Sequence, residues 1–92
     1  MGLEAFSLEG KLALVTGGGT GIGFGISKAF IDVGARVVIT GRRESVLKEA
    51  AAKLGTGADY RVNDITERNK IPYLVDDIEN NIGPIDILVN NA

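Results

Sequence analysis

Neither cysteine nor histidine occurs among the 92 residues. The first absence excludes disulfides, thiolate catalysis and cysteine-based zinc sites. The second removes the commonest general base and metal ligand. Charge of one sign is not in excess either. Ten basic and 12 acidic residues leave a formal net charge of −2. The signs are interspersed, so neither a nucleic acid nor an anionic membrane is expected as a partner. Long hydrophobic runs are also missing. The longest apolar stretches, 12–15 and 87–89, fall far short of the roughly 20 residues needed to cross a bilayer. Residues 1–11 carry Glu4 and Glu9 without an apolar core, so they do not read as a signal peptide. Phe6 stands where N-myristoylation after Gly2 would need Ser or Thr. The cysteine-free composition fits a cytoplasmic protein.

What is present alternates. Residues 11–16 (KLALVT) form a short apolar run that ends in a glycine cluster, as a buried strand does. Ile22, Ile26, Ala29, Phe30 and Val33 then recur at helical spacing, and Gly34 stops that helix. Residues 36–40 (RVVIT) are β-branched and read as a second strand. A second helix is expected over 44–54, with Val46, Leu47, Ala50, Ala51 and Leu54 as its apolar stripe and Gly55 as its stop. Residues 58–63 make a weaker third strand. A third helix runs to about 81 on Ile71, Leu74, Val75, Ile78 and Ile82; Pro72 either starts it or kinks its first turns. Gly83-Pro84 breaks the chain, and 85–90 (IDILVN) is a fourth strand.

A β-α-β-α-β-α-β order with short connections predicts an α/β fold: a doubly wound parallel sheet of the Rossmann type, strand order 3-2-1-4. In such a sheet the order continues to strands 5 and 6. Strand 4 is then interior, and Ile85, Ile87, Leu88 and Val89 suit burial on both faces. An interior strand left as an open edge invites pairing. The expectation is therefore one incomplete dinucleotide-binding domain over 1–92, the N-terminal part of something longer or in need of a partner.

The sharpest signal is Thr16-Gly17-Gly18-Gly19-Thr20-Gly21-Ile22-Gly23, which leaves a strand and enters a helix. Unpaired amides at a helix N-terminus bind phosphate, and glycine lets the backbone approach it. Neither Gly-x-Gly-x-x-Gly nor the P-loop pattern fits. Gly17-x-x-x-Gly21-x-Gly23 does fit, followed by Asn63-Asp64-Ile65-Thr66 after strand 3 and Asn90-Asn91-Ala92 after strand 4. In these three ordered motifs the chain resembles the short-chain dehydrogenase/reductase family, in its shorter-chain branch. The segment 6–11 resembles members of the gluconate 5-dehydrogenase type and the 3-oxoacyl-acyl-carrier-protein reductases.

The resemblance implies a cofactor site in which Gly17, Gly21 and Gly23 shape the pyrophosphate loop that includes Gly19, and Thr20 and Ile22 contact phosphate or ribose. Asp64 and Ile65 would lie at the adenine, and Asn90 and Ala92 near the ribose. Read alone, Asp64 also suits a helix cap or a solvated loop acid, and Asn90-Asn91 suits a turn. NAD-specific sites carry an acid at the end of strand 2, about 20 residues past the loop. Residues 37–41 hold none, and Arg42 and Arg43 follow. A guanidinium grips phosphate bidentately, so NADP(H) is expected over NAD(H), with Arg42 as the main determinant and Thr40 adding a hydroxyl. Alternatively, both arginines begin a solvated helix beside Glu44.

The family's catalytic Ser and Tyr-x-x-x-Lys, in which lysine lowers the tyrosine's pKa for proton exchange with a carbonyl, are not matched. Tyr60 is followed four residues on by Asp64, and Tyr73 by Asp77. No catalytic residue is assigned here. Asp76, Asp77 and Glu79 read as the solvated face of helix 3 rather than as metal ligands. Two functions are carried forward. The chain is the nicotinamide dinucleotide-binding part of a ketone/alcohol oxidoreductase whose small-molecule substrate and homo-oligomeric contacts belong to the longer parent. Or it is a stand-alone, catalytically silent dinucleotide-binding module.

Overall fold

The structure is a computed structural model and describes residues 7–91. Four strands, β1 (Leu12–Thr16), β2 (Arg36–Gly41), β3 (Ala58–Val62) and β4 (Ile87–Asn90), alternate with helices α1 (Gly21–Asp32), α2 (Glu44–Leu54) and α3 (Ile71–Asn81). All strands are parallel, in the order β3-β2-β1-β4. The expected order is the one observed. No helix among the described residues is long and apolar enough to cross a membrane.

Strand alternation splits the core in two. Ala13, Val15, Val37 and Ile39 face α1 and α2, where they bury Leu47 and Ala50. Leu12, Leu14 and Val38 face the other way, onto Ile78 of α3. Leu12, Ile39, Leu47 and Ile78 are each almost wholly removed from solvent. Each such side chain contributes about 1.5–3 kcal/mol, against about 0–1 kcal/mol for an exposed ion pair. The two layers on the sheet therefore hold the fold.

The open start of β1 is closed from β4. The Leu12 amide donates to Asp86 Oδ2 at 2.9 Å, and the Asp86 amide donates to the Leu12 carbonyl at 2.9 Å.

Helix α1 differs from its expected face. Ile22 is 76% exposed and Ala29 is exposed, while the buried residues are Gly23 and Ser27. Phe24, Phe30 and Ile31 flank them against the core. The small residues let the helix come close to the strands, and Ser27 Oγ satisfies itself by donating to the Gly23 carbonyl at 2.8 Å. Helix α3 starts at Ile71 after a 3-10 turn (Arg68–Lys70), with Pro72 in its first turn. Proline belongs there because its missing amide would have had no helical partner; the helix is not kinked by it. Strand β4 is the open edge that an incomplete sheet implies. Leu88 is 65% exposed, and Ile85, Ile87 and Val89 are half-buried. Among the described residues β4 pairs only with β1, and α3 covers Leu12, Leu14 and Val38 instead of Leu88.

Asp77 is not simply solvated. Arg61 Nε of β3 donates to its Oδ2 at 2.6 Å, and Asn81 Nδ2 donates to Oδ1 at 2.7 Å. These bonds, Arg61's first, hold the Asp77 carboxyl below the usual carboxylate range. A depressed folded-state pKa stabilises the fold above the unfolded value of about 4 and loses that contribution as pH falls through the folded value. Asp77→Asn is therefore expected to cost about 0.5–1 kcal/mol near neutrality. Urea midpoints of the variant and the wild type should converge between about pH 5 and about pH 3. Midpoints that stay apart by the same amount throughout would contradict this.

Candidate functional site

At the carboxyl ends of β1, β2 and β3 the chain makes a cleft of about 660 Å3, within the size range of small-ligand sites. Its near wall is the loop between β1 and α1. The amides of Gly17 and Gly18 donate to the Thr40 carbonyl at 2.9 and 3.3 Å, so the loop hangs on the end of β2. Gly17 and Gly21 have φ of +65° and +56°, the left-handed region that other residues rarely adopt. A Cβ on Gly18 would lie 2.5 Å from Ile39 Cγ2, and one on Gly23 would overlap the Gly17 carbonyl. The loop is thus pressed against both β2 and its own helix.

The N-terminus of α1 faces this loop without a side-chain cap. Thr20, at the N-cap, makes no capping bond, and the first turn holds no acidic residue. The free amides and the positive end of the helix dipole are left for an external anion. Across the cleft stand Arg42 and Arg43, both exposed. Neither joins an ion pair among the described residues. Glu44, their expected surface partner, instead accepts from the Tyr60 hydroxyl at 3.5 Å.

The far wall carries Asp64 and Ile65. Asp64 Oδ1 accepts from the Thr66 hydroxyl at 2.7 Å and the Thr66 amide at 3.0 Å. The hydroxyl bond chiefly holds the carboxyl below the usual range, helped by the amide and by the charge of Arg42. Asp64 is therefore the head of a tight side-chain turn, with both bonds on one oxygen, rather than a helix cap.

Gly17, Gly19, Thr20, Arg42, Asp64 and Ile65 thus line one cleft. Gly21 and Ile22 lie exposed at the start of α1, and Gly23 is buried behind the loop. Asn90 sits at the end of β4, where its Oδ1 accepts from Thr16 Oγ1 at 3.2 Å. Ala92 lies outside the described residues. Thr40 belongs to the cleft lining, but its hydroxyl is not exposed there. It is fully buried, because its side chain follows Val38 onto the α3 face of the sheet, and its Oγ1 has no hydrogen-bond partner among the described residues. Asn91 is the residue the motif reading passed over. Its amide donates to Thr16 Oγ1 at 2.9 Å and its Nδ2 to the Gly17 carbonyl at 3.3 Å, so the end of β4 grips the loop.

Among the described residues no group of three or more acidic side chains is placed to hold a metal ion. The arrangement suits a ligand with linked phosphates at the loop, a further anionic group at the arginines and an aromatic amine at Asp64. A parallel sheet in this order with a glycine loop at its first crossover defines a dinucleotide-binding Rossmann fold. The short chain dehydrogenase family model matches residues 11–92, and the chain belongs to that family, whose members bind nicotinamide cofactors.

Among curated relatives, gluconate 5-dehydrogenase of Gluconobacter oxydans (strain 621H) is 41% identical over 92 residues, which cover 97% of this chain and 36% of the relative. The NADP-dependent (R)-specific alcohol dehydrogenase of Lentilactobacillus kefiri is 42% identical over 88 residues, covering 92% and 34%. The crystal structure of L-sorbose reductase from Gluconobacter frateurii, complexed with NADPH and L-sorbose, superposes with a TM-score of 0.86 at 33% identity, over 94% of this chain and 34% of that one. The chain spans about a third of the length of the relatives it matches.

Proposed function

We propose that residues 1–92 form the NADP(H)-binding domain portion of an oxidoreductase. The parent enzyme would pass a hydride between nicotinamide and a ketone/alcohol pair of the sugar-acid, polyol or 3-oxoacyl type. The observation that carries the cofactor choice is the pair of exposed arginines at the lip of the cleft, outside every ion pair among the described residues and directly after a β2 end that holds no acid. NADPH in the sorbose reductase complex and the NADP dependence of the Lentilactobacillus enzyme support it. The substrate class rests on the sugar and alcohol chemistry in the names of the relatives. A cytoplasmic setting belongs to the same reading and rests on the cysteine-free composition.

When bound, the dinucleotide supplies the hydride chemistry. The residues of this chain hold and orient it. The amides around Gly19, Thr20 and Gly21 take the pyrophosphate, Gly17 shapes the loop that presents them, and Gly23 allows the helix to close behind them. Ile22 and Asn90 lie to the ribose side. Arg42 takes the 2′-phosphate. Asp64 accepts from the adenine amino group beside Ile65.

Separate titrations of the purified protein with NADPH and NADH test this. NADPH is expected to bind at least about tenfold more tightly, a difference of about 1.4 kcal/mol. Equal affinities, or tighter NADH, would remove the cofactor assignment.

A further inference from the structure

Asp64 and Ile65 sit in the connection 63–70 between β3 and α3, and the two stems of that connection are held very differently. The β3 stem is hydrogen-bonded into the sheet, with the Asn63 amide on the Gly41 carbonyl at 2.8 Å. The α3 stem buries only Ile78 fully. Ile78 packs onto Leu12, Leu14 and Val38 of β1 and β2, and among the described residues the hydrogen bond that joins α3 to β3 is that of Arg61. Its Nε donates to Asp77 Oδ2 at 2.6 Å, while its Nη1 is braced by Asp59 Oδ1 at 3.1 Å and the Tyr60 carbonyl at 2.7 Å. Every other ion pair among the described residues joins positions within four of each other. This one spans 16. It ties the end of β3 to the middle of α3, so the two elements that carry the connection and its adenine wall are held together.

We propose that Arg61 is a positioning residue for the adenine end of the dinucleotide: by holding Asp77 it sets the separation of the two stems, and with it the place of Asp64 and Ile65 at the cleft. This rests on the cofactor reading above. Arg61 does not line the cleft, so its effect is transmitted. Coupling of that kind through a packed element has a modest size and acts on one part of the ligand only.

The test measures dissociation constants for 2′,5′-ADP, which reaches the adenine wall, and for inorganic pyrophosphate, which needs the glycine loop alone. Arg61→Ala is expected to weaken 2′,5′-ADP about fivefold to tenfold and to leave pyrophosphate unchanged. Arg61→Lys should fall between, and the charge swap Arg61→Asp with Asp77→Arg should recover most of the loss. Arg36→Ala is the control for stability alone. Arg36 Nη2 donates to the Ile82 carbonyl at 3.1 Å and so also ties the sheet to α3, but at the end of α3 remote from the connection. It should lower the thermal midpoint and leave 2′,5′-ADP affinity unchanged.

If Arg61→Ala does not fold, Arg61→Lys and the swap decide by the same ratio of the two ligands. Wild-type protein that binds 2′,5′-ADP no better than the Arg61 variants, or an Arg36 variant that loses as much affinity, overturns the inference while leaving the cofactor reading intact. Wild-type protein that binds neither nicotinamide dinucleotide overturns both.

Discussion

Gly23→Ala is expected to destabilise the protein by about 2–3 kcal/mol and to remove measurable dinucleotide binding, whereas Gly25→Ala, two residues along the same helix, is expected to stabilise it by about 0.5–1 kcal/mol. The Gly23 methyl would overlap the Gly17 carbonyl oxygen and lie 2.6 Å from Asn91 Nδ2. Neither can yield cheaply. The Gly17 amide is tied to the Thr40 carbonyl at 2.9 Å, and its carbonyl accepts from Asn91. The helix must therefore lift from the loop, breaking the surface that its free amides form with Gly17 and Thr20. At Gly25, outside the adjoining helix backbone, no atom of the described residues lies within 4 Å of the added carbon, and φ is not in the left-handed region. Only the helix propensity changes there, and alanine is better than glycine. Urea midpoints with NADPH titrations on the folded protein separate the two. Losses of equal size at both positions would show that loss of glycine flexibility, not close approach, is what the helix start cannot tolerate.

How much of this was legible before folding follows from what each signal measures. Strand order was readable because β-branched runs, helical stripes and stop glycines alternate, and right-handed crossovers leave few ways to stack them. The glycine loop was readable because its context, a strand before and a helix after, accompanies its spacing. The face of α1 was not, because a stripe search counts Ile22 and Ala29 and scores Gly23 and Ser27 as nothing, while close packing selects for small side chains. The composition of β4 marks it as a strand made for burial on both faces, and its place at the sheet edge leaves Leu88 exposed. Thr40 could have been placed by alternation from Val38. The Asp64–Thr66 turn was available from its spacing. Asn91 acts through bonds to Thr16 and Gly17, 75 and 74 positions away, and Arg61 reaches Asp77 across 16. Acids along a helix read as a solvated face until the partner strand is in place.

Cofactor preference is where one position should carry the largest effect on binding. Arg42→Ala is expected to weaken NADPH by about tenfold to a hundredfold, or about 1.4–2.8 kcal/mol, with little change for NADH. The asymmetry follows because only NADPH has the 2′-phosphate that a guanidinium can grip through two bonds. Adding Gly41→Asp should invert the preference. Gly41 closes β2 and lines the cleft, at the position where NAD-specific sites carry their acid. A Cβ there would come within 3.3 Å of Leu47 Cδ2, the movable end of a side chain, so the carboxylate can be accommodated. It would repel a 2′-phosphate and accept from the ribose hydroxyls of NADH. The combined variant should bind NADPH about a thousandfold more weakly than the wild type does and NADH more tightly than before. Far-ultraviolet circular dichroism and urea midpoints check that the fold is kept. Because Arg42 is exposed, the wild-type advantage for NADPH should also shrink steeply as salt rises past the roughly 10 Å screening length of about 0.1 M. A preference for NADPH that is indifferent both to salt and to Arg42→Ala would place its origin away from the end of β2.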